Sequence, residues 1–205
     1  MTPEPLELSS CVVSDAMTAL GLANGVITGI SPMGGQRVLA GPAFPVRFVA
    51  ATDGGFNDYL EQVPLGHIIF IDAVGRTDVS AWGGLIALEA QRLGIAGALI
   101  HGACRDVAEF DESGFGVFAR ASTPQSGRHH IVSMNAGERI TVDGVGVDLG
   151  DLVVADVDGI AVVPGNAADD VAEMALSIDE RDRLIADKVR GGLSLAAARQ
   201  LHRRG

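Results

Sequence analysis

The residues best suited to chemistry fall in two runs, Trp82-Gly83-Gly84-Leu85-Ile86 and His101-Gly102-Ala103-Cys104-Arg105-Asp106-Val107-Ala108-Glu109. Two glycines at the start of a helix leave the backbone open and its first N–H groups unpaired. The Leu85 and Ile86 N–H groups can then hold a carboxylate or phosphate. Arg105 offers a planar fork of donors for a carboxylate or an enolate oxygen. Asp106 is a hard oxygen ligand, suited to Mg²⁺ or Mn²⁺ with waters completing the shell. Together these groups fit a small 2-oxo acid chelated to a divalent metal. The same Arg-Asp pair also reads as a surface salt bridge after a strand.

These residues need elements to position them. Leu85, Leu88 and Leu93, with Ala87 and Ala90, have the spacing of a helix packed on a sheet, and Gly94 ends it. Gly97 opens a strand, Ala98-Leu99-Ile100, and His101 to Cys104 then reads as a turn. Arg105 and Asp106 thus lie past a strand's carboxyl end, where α/β proteins collect ligands. A short helix from Asp106 to Ser113 puts Glu109 on the same face as Asp106. There Glu109 can orient the metal's surroundings or pair with Arg105.

Gly84, twenty residues, Arg105-Asp106, two residues and Glu109 form a pattern that resembles the signature of one superfamily. It holds the class II 4-hydroxy-4-methyl-2-oxoglutarate/4-carboxy-4-hydroxy-2-oxoadipate aldolases and the regulator of ribonuclease activity A (RraA-like) proteins. Val13-Ser14-Asp15-Ala16, Thr123-Pro124-Gln125-Ser126-Gly127-Arg128 and the run Gly150 to Gly159 agree with it, and the likeness extends from about Ser9 to the C-terminal helix. The resemblance implies an α/β fold, a swivelling β/β/α domain of mixed sheets with outer helices. It also implies a homotrimer or dimer of trimers with active sites between subunits. By the same likeness, Arg105 is the catalytic residue, Gly84, Leu85, Ile86 and Arg105 bind substrate, and Asp106 holds Mg²⁺ or Mn²⁺. Glu109, and Glu180 on the C-terminal helix of a neighbouring subunit, are supporting residues.

The pattern departs from the aldolases at one position. They carry an acid where this chain has Gly84, and that acid orients a water used in proton transfer. Retro-aldol cleavage must remove a hydroxyl proton, whereas decarboxylation of an oxaloacetate-like acid needs only the electron sink for its bond-breaking step. With glycine at 84, oxaloacetate decarboxylation is expected to exceed aldolase activity. Asp72 and Asp78 flank the loop leading to Trp82, where either can replace the missing acid. The alternative function, from another class, is a non-catalytic regulator that binds and inhibits a ribonuclease or helicase.

Bulk properties set outer bounds. A chain of 205 residues supports one core, and a single domain over 1–205 is expected, with C-terminal helices from about 166. A net charge of −11 argues against nucleic-acid binding, which needs basic surface. No charged start precedes an apolar run, and no apolar stretch reaches membrane-spanning length, so neither a signal peptide nor a membrane partner is expected and the location is expected to be cytoplasmic. There is no GxGxxG or Walker motif, and hence no support for a methyltransferase or nucleotide-binding role.

The remaining elements follow from pattern. A helix is expected from Leu6 to Leu20 with Ser9 or Ser10 as an inner cap; its Ser14-Asp15 lies either near a neighbour's site or against a loop. Gly25 to Gly41 is turn-rich, and Pro45 to Ala50 alternates as a strand. Asn57 can cap a short helix from Asp58 to Val63. His67 opens a central strand to Asp72 and is expected to be structural. Gly116 to Arg120 reads as a strand and Thr123 to His130 as a polar loop, whose His129 and His130 point to opposite faces and do not share an ion. Ile131 to Val163 is β-rich, with turns at Asp143-Gly144 and Asp158-Gly159. Asp151, Asp156 and Asp158 lack the order of a calcium loop. Asn166 can cap a long helix to about Val189, and Ser194 a last one. Cys11 and Cys104 read as reduced. Arg105 can lower the pKa of Cys104, but no His-Asp activator accompanies it, so no catalytic thiol is expected.

Overall fold

The structure, a computed structural model, describes residues 8–52 and 59–202. Helix α1 (Ser10–Ala19) leads into two short strands, β1 (Val26–Ile27) and β2 (Ser31–Gly34), and then the long β3 (Leu39–Ala50). A 3-10 turn at Leu60–Gln62 precedes β4 (Ile68–Asp72), β5 (Ser80–Trp82), α2 (Gly84–Arg92), β6 (Gly97–Cys104), α3 (Val107–Ser113) and β7 (Val117–Ser122). The second half adds β8 (Ile131–Met134), β9 (Ile140–Val142), β10 (Val145–Val147), β11 (Leu152–Ala155), β12 (Ile160–Val163), α4 (Ala168–Arg190) and α5 (Leu195–His202).

Among the described residues one mixed sheet runs β1-β12-β11-β3-β4-β6-β7-β2, with β5 beside β6 and β8 beside β3. The centre is parallel: β3 with β4, β4 with β6, and β6 with β5 and β7. Every residue of β4 and β6 is buried, as expected of parallel strands covered on both faces. Ile69, Ile71, Ala98 and Ile100 face α2 and α3, while Ile68, Phe70, Leu99 and Phe118 face the β9–β10 hairpin. Helices α1 and α4 cover β11 and β12 through Val13, Met17, Val171 and Ala175. This is the mixed sheet with outer helices that the sequence suggested. No helix among the described residues is long and apolar enough to cross a membrane.

Several boundaries differ from the sequence reading. Helix α1 begins at Ser10, with the Val12 N–H donating to the Ser9 hydroxyl at 3.3 Å; Leu6 lies outside the described residues, as do Asn57 and Asp58. The stretch Gly25 to Gly41 holds strands, not turns alone. Strand β6 continues through His101 to Cys104, so the supposed turn is ladder. Asn166 caps nothing: it sits in a 3-10 turn, and α4 starts after Ala167 without a side-chain cap. The Ser194 cap is present, its hydroxyl accepting from the Ala197 N–H at 3.2 Å. The Asp143-Gly144 hairpin is present, both residues having positive φ.

Candidate active site

A cleft of about 370 Å³ opens at the carboxyl ends of β5 and β6. It is lined by Ser80, Trp82, Gly83, Leu85, Ile86, Arg105, Asp106, Ser126 and Arg128. Four of the predicted residues, Leu85, Ile86, Arg105 and Asp106, therefore meet in one place, while Gly84 and Glu109 are not among the lining residues. A groove of about 410 Å³ between α4 and α5 is lined by Ile185, Ala186, Val189 and Leu195 together with Asp182, Arg190 and Arg199, and contains none of the predicted site residues.

The two glycines make the cleft possible. A β-carbon on Gly83 would lie 2.8 Å from Asp106 Oδ2 and 3.2 Å from Arg105 Cγ. A β-carbon on Gly84 would lie 1.6 Å from Glu109 Oε2 and 2.5 Å from Glu109 Cδ. The carboxylate of Glu109 thus fills the place where a side chain at residue 84 would begin. Residue 84 itself carries no acid, and the carboxylate beside it belongs to Glu109 of α3.

Asp106 ties the two runs together. It adopts a left-handed backbone with φ 60° and ψ 38°, an arrangement costly for a non-glycine residue and concentrated at functional sites. Its carbonyl accepts the Glu109 N–H at 3.0 Å, which starts α3. Its Oδ2 accepts the Gly84 N–H at 3.1 Å and Arg105 Nε–H at 3.2 Å. The salt bridge of the plain reading therefore exists, but it lies within the cleft. The terminal nitrogens of Arg105 and the N–H groups of Leu85 and Ile86 have no acceptor among the described residues, so they remain available to a ligand.

The Thr123 to His130 loop forms the opposite wall. Ser80 N–H donates to the Gln125 carbonyl at 2.9 Å, and a β-carbon on Gly127 would come 2.2 Å from the Ser80 carbonyl oxygen. Only glycine lets the loop lie this close to β5. The Arg128 N–H donates to the Ser126 hydroxyl at 3.2 Å, which fixes the turn that brings both residues to the cleft. No carboxylate pairs with the Arg128 guanidinium among the described residues. Arg128 was not legible as a site residue in the sequence, because its place at the cleft depends on the Gly127–Ser80 approach.

Other expectations resolve differently. Asp72, the last residue of β4, is buried and accepts from His101 Nδ1 at 2.8 Å and the Val74 N–H at 2.8 Å. Asp78 pairs with Arg76 at 2.7 Å, and this partner draws its carboxyl down to about 2. Asp72 is thus engaged by His101 and Val74, and Asp78 by Arg76. Glu180 is exposed on α4, outside the cleft lining of its own chain. Cys104 is buried and burial pushes its thiol up to about 12, against the lowering that Arg105 suggested; Cys11 is likewise a free thiol.

The donor set suits one kind of cation. No group of three or more His, Cys, Asp or Glu side chains is placed to share an ion among the described residues. Asp106 offers one carboxylate, with Oδ1 free of partners among those residues. A cation that keeps most of its waters and takes its remaining ligands from substrate fits such a site, which is the habit of Mg²⁺.

Comparison with known proteins places this cleft in context. Residues 10–162 match the RraA-like family model, described as Aldolase/RraA. The chain is 28% identical over 200 residues to Protein DlpA of Legionella pneumophila, covering 95% of this chain but 32% of that protein, so it spans about a third of that relative's length. It is 30% identical to a putative 4-hydroxy-4-methyl-2-oxoglutarate aldolase of Halalkalibacterium halodurans, covering 86% of this chain and 84% of the relative. Among solved structures, an uncharacterized protein from Pseudomonas syringae pv. tomato superposes with a TM-score of 0.87 at 29% identity, over 94% of this chain and 93% of that one.

Proposed function

The chain belongs to the RraA-like family, and from that membership and the geometry of the cleft we propose that it is a carbon–carbon lyase cleaving a small 2-oxo acid through a pyruvate enolate. The carrying observation is the Glu109 carboxylate in the space beside Gly84, the residue whose N–H donates to Asp106. It supplies the proton-transfer group that a glycine at 84 appeared to remove. Retro-aldol cleavage of a 4-hydroxy-2-oxo acid then stands beside decarboxylation of oxaloacetate as an activity of this site.

Each residue has a defined task. The Leu85 and Ile86 N–H groups hold the C1 carboxylate at the helix N-terminus. Arg105, anchored through Nε on Asp106, points its terminal nitrogens at the C2 oxygen, where negative charge develops. Glu109 takes the C4 hydroxyl proton as the C3–C4 bond breaks; that electron pair passes to the C2 oxygen, giving pyruvate enolate and a second oxo acid. A proton delivered to C3 of the enolate releases pyruvate. Asp106 would hold a divalent cation, which when bound supplies Lewis-acid stabilisation of the developing charge. Across the cleft, Arg128 and Ser126 match a second carboxylate on the far end of the substrate. The substrate in the name of the Halalkalibacterium halodurans relative, 4-hydroxy-4-methyl-2-oxoglutarate, is such a dicarboxylate.

The exposed Leu85 (80%) and Leu88 (62%) on α2 support self-association beside the cleft, in the homotrimer or dimer of trimers suggested by the resemblance. The direct test is pyruvate release from 4-hydroxy-4-methyl-2-oxoglutarate and from oxaloacetate with added Mg²⁺ or Mn²⁺. Release above the metal-only background supports the lyase. Absence of release from both, with a stable complex formed on a ribonuclease or helicase, would favour the regulator.

A further inference from the structure

Glu109 stands on a helix too short to hold its own place. Helix α3 has seven residues, below the ~12 at which a helix is even marginal by itself. What it packs against must set its rotation. On one side that is α2; on the other it is β2, the last strand of the sheet path.

The β2 contact is made by two glycines. A β-carbon on Gly34 would lie 3.1 Å from the Val107 carbonyl oxygen and 3.3 Å from Phe110 Cβ. One on Gly35 would lie 2.2 Å from the Phe115 carbonyl oxygen and 2.9 Å from that of Phe110. Both glycines have positive φ, 155° and 69°. The register of β2 against β7 slips between Pro32 and Gly34, and such a bulge re-aims the backbone. The re-aimed Gly35 N–H donates to Asp111 Oδ1 at 2.9 Å. Residues two apart on a helix point to different sides. Asp111 thus grips β2 while Glu109 reaches Gly84. Gln91 Nε2 donates to the Ser113 carbonyl at 3.2 Å and joins the far ends of α2 and α3.

We infer that Asp111 is a positioning residue: through the Gly35 N–H it fixes the rotation of α3 and thereby holds the Glu109 carboxylate beside Gly84. This rests on the reading of Glu109 as the proton-transfer group. Asp111 touches neither substrate nor reacting atoms, so its influence falls on the step that needs Glu109 and spares the one that does not.

The experiment compares the full-length wild type with Asp111→Ala and Asp111→Asn on 4-hydroxy-4-methyl-2-oxoglutarate and on oxaloacetate, alongside amide hydrogen exchange over Val107–Ser113. Misplacement of a reacting group by a fraction of an ångström lowers rates steeply, so Asp111→Ala should cut retro-aldol kcat by ~10-fold with KM unchanged. Decarboxylation should stay within about twofold, the scatter of an uncoupled site. Asp111→Asn keeps an acceptor oxygen and should restore most of the loss. Exchange across α3 should quicken in the Ala variant alone. No loss of either activity, or an Asn variant no better than Ala, would overturn the positioning role; equal loss of both activities with quickened α3 exchange would keep the clamp and overturn the reading of Glu109 as a base that decarboxylation does not need. Absence of both activities in the wild type would instead overturn the reading of Glu109, and α3 exchange would then decide the clamp alone: unchanged exchange in Asp111→Ala removes it.

Discussion

Glu109 and Gly84 share one site: the Glu109 Oε2 atom lies 1.6 Å from where a β-carbon on Gly84 would be. The space that a side chain at residue 84 would enter is therefore held by an acid twenty-five positions further along the chain. This placement has consequences that can be measured at residue 84 itself.

Gly84→Ala should fold normally. The atoms met by its new β-carbon belong to the end of a flexible side chain, and alanine is the better helix former by about 1 kcal/mol. It should nevertheless push the Glu109 carboxylate aside and lower retro-aldol kcat, by ~10-fold or more. Moving the acid back, in Gly84→Asp combined with Glu109→Gly, should recover activity beyond that of either single change. Thermal unfolding and a double-mutant cycle on kcat check both statements.

At Asp106, Asn keeps an acceptor for the Gly84 N–H but loses the charge that suits a divalent cation. Asp106→Asn should leave the fold intact and lose pyruvate release from both substrates. Chelator should do the same to the wild type, with recovery on adding Mg²⁺ or Mn²⁺. Titration calorimetry of Mg²⁺ or Mn²⁺ on the two proteins provides the readout separate from turnover.

Across the cleft, Arg128→Gln should raise KM for a dicarboxylic 2-oxo acid by ~10-fold or more, the loss of one charge-assisted pair. A 2-oxo acid with one carboxylate should be unaffected. Steady-state kinetics on the two substrate types separates the cases.

Stability should depend on pH through Asp72. Burial pushes its carboxyl up, but the hydrogen bonds from His101 and the Val74 N–H and the charges of His101 and Arg47 outweigh it and hold the carboxyl below its usual value. Its folded pKa is thus below the unfolded one. The stabilisation is fully present above the unfolded value, about 3.9, and is lost as pH falls through the folded value. Asp72→Asn should lower stability at neutral pH and flatten the acid limb below about pH 4, as read by denaturant unfolding across a pH series.

The parts of the site carried by local order were legible in the sequence. A glycine pair starting a helix and Arg-Asp closing a buried strand placed Leu85, Ile86, Arg105 and Asp106 together, and they line one cleft. The position of Glu109 was not legible, because helical periodicity relates it to Asp106 and says nothing of α2. Strand β6 was cut short because Gly102 in a His-Gly-Ala-Cys run suggests a turn. In the structure that glycine lies within β6 where the register against β7 shifts, and glycine is needed there because a β-carbon would lie 2.8 Å from Ala73 Cβ and 3.1 Å from the Arg76 carbonyl oxygen. Likewise the run Gly25 to Gly41 reads as turn-rich, yet its Pro32, Gly34 and Gly35 form the bulged edge that contacts α3. Asn166 failed as a cap because the Gly165 N–H is held by Asp151 Oδ1 at 2.9 Å, which sets a 3-10 turn before α4.

The most direct measurement is pyruvate release by Glu109→Gln from 4-hydroxy-4-methyl-2-oxoglutarate and from oxaloacetate, beside the wild type. Glutamine keeps the shape in the Gly84 gap and removes the base. Retro-aldol kcat should fall by ~10²-fold or more, the usual contribution of a general base, while decarboxylation largely persists. Undiminished retro-aldol turnover in Glu109→Gln would contradict the assignment of proton transfer to Glu109.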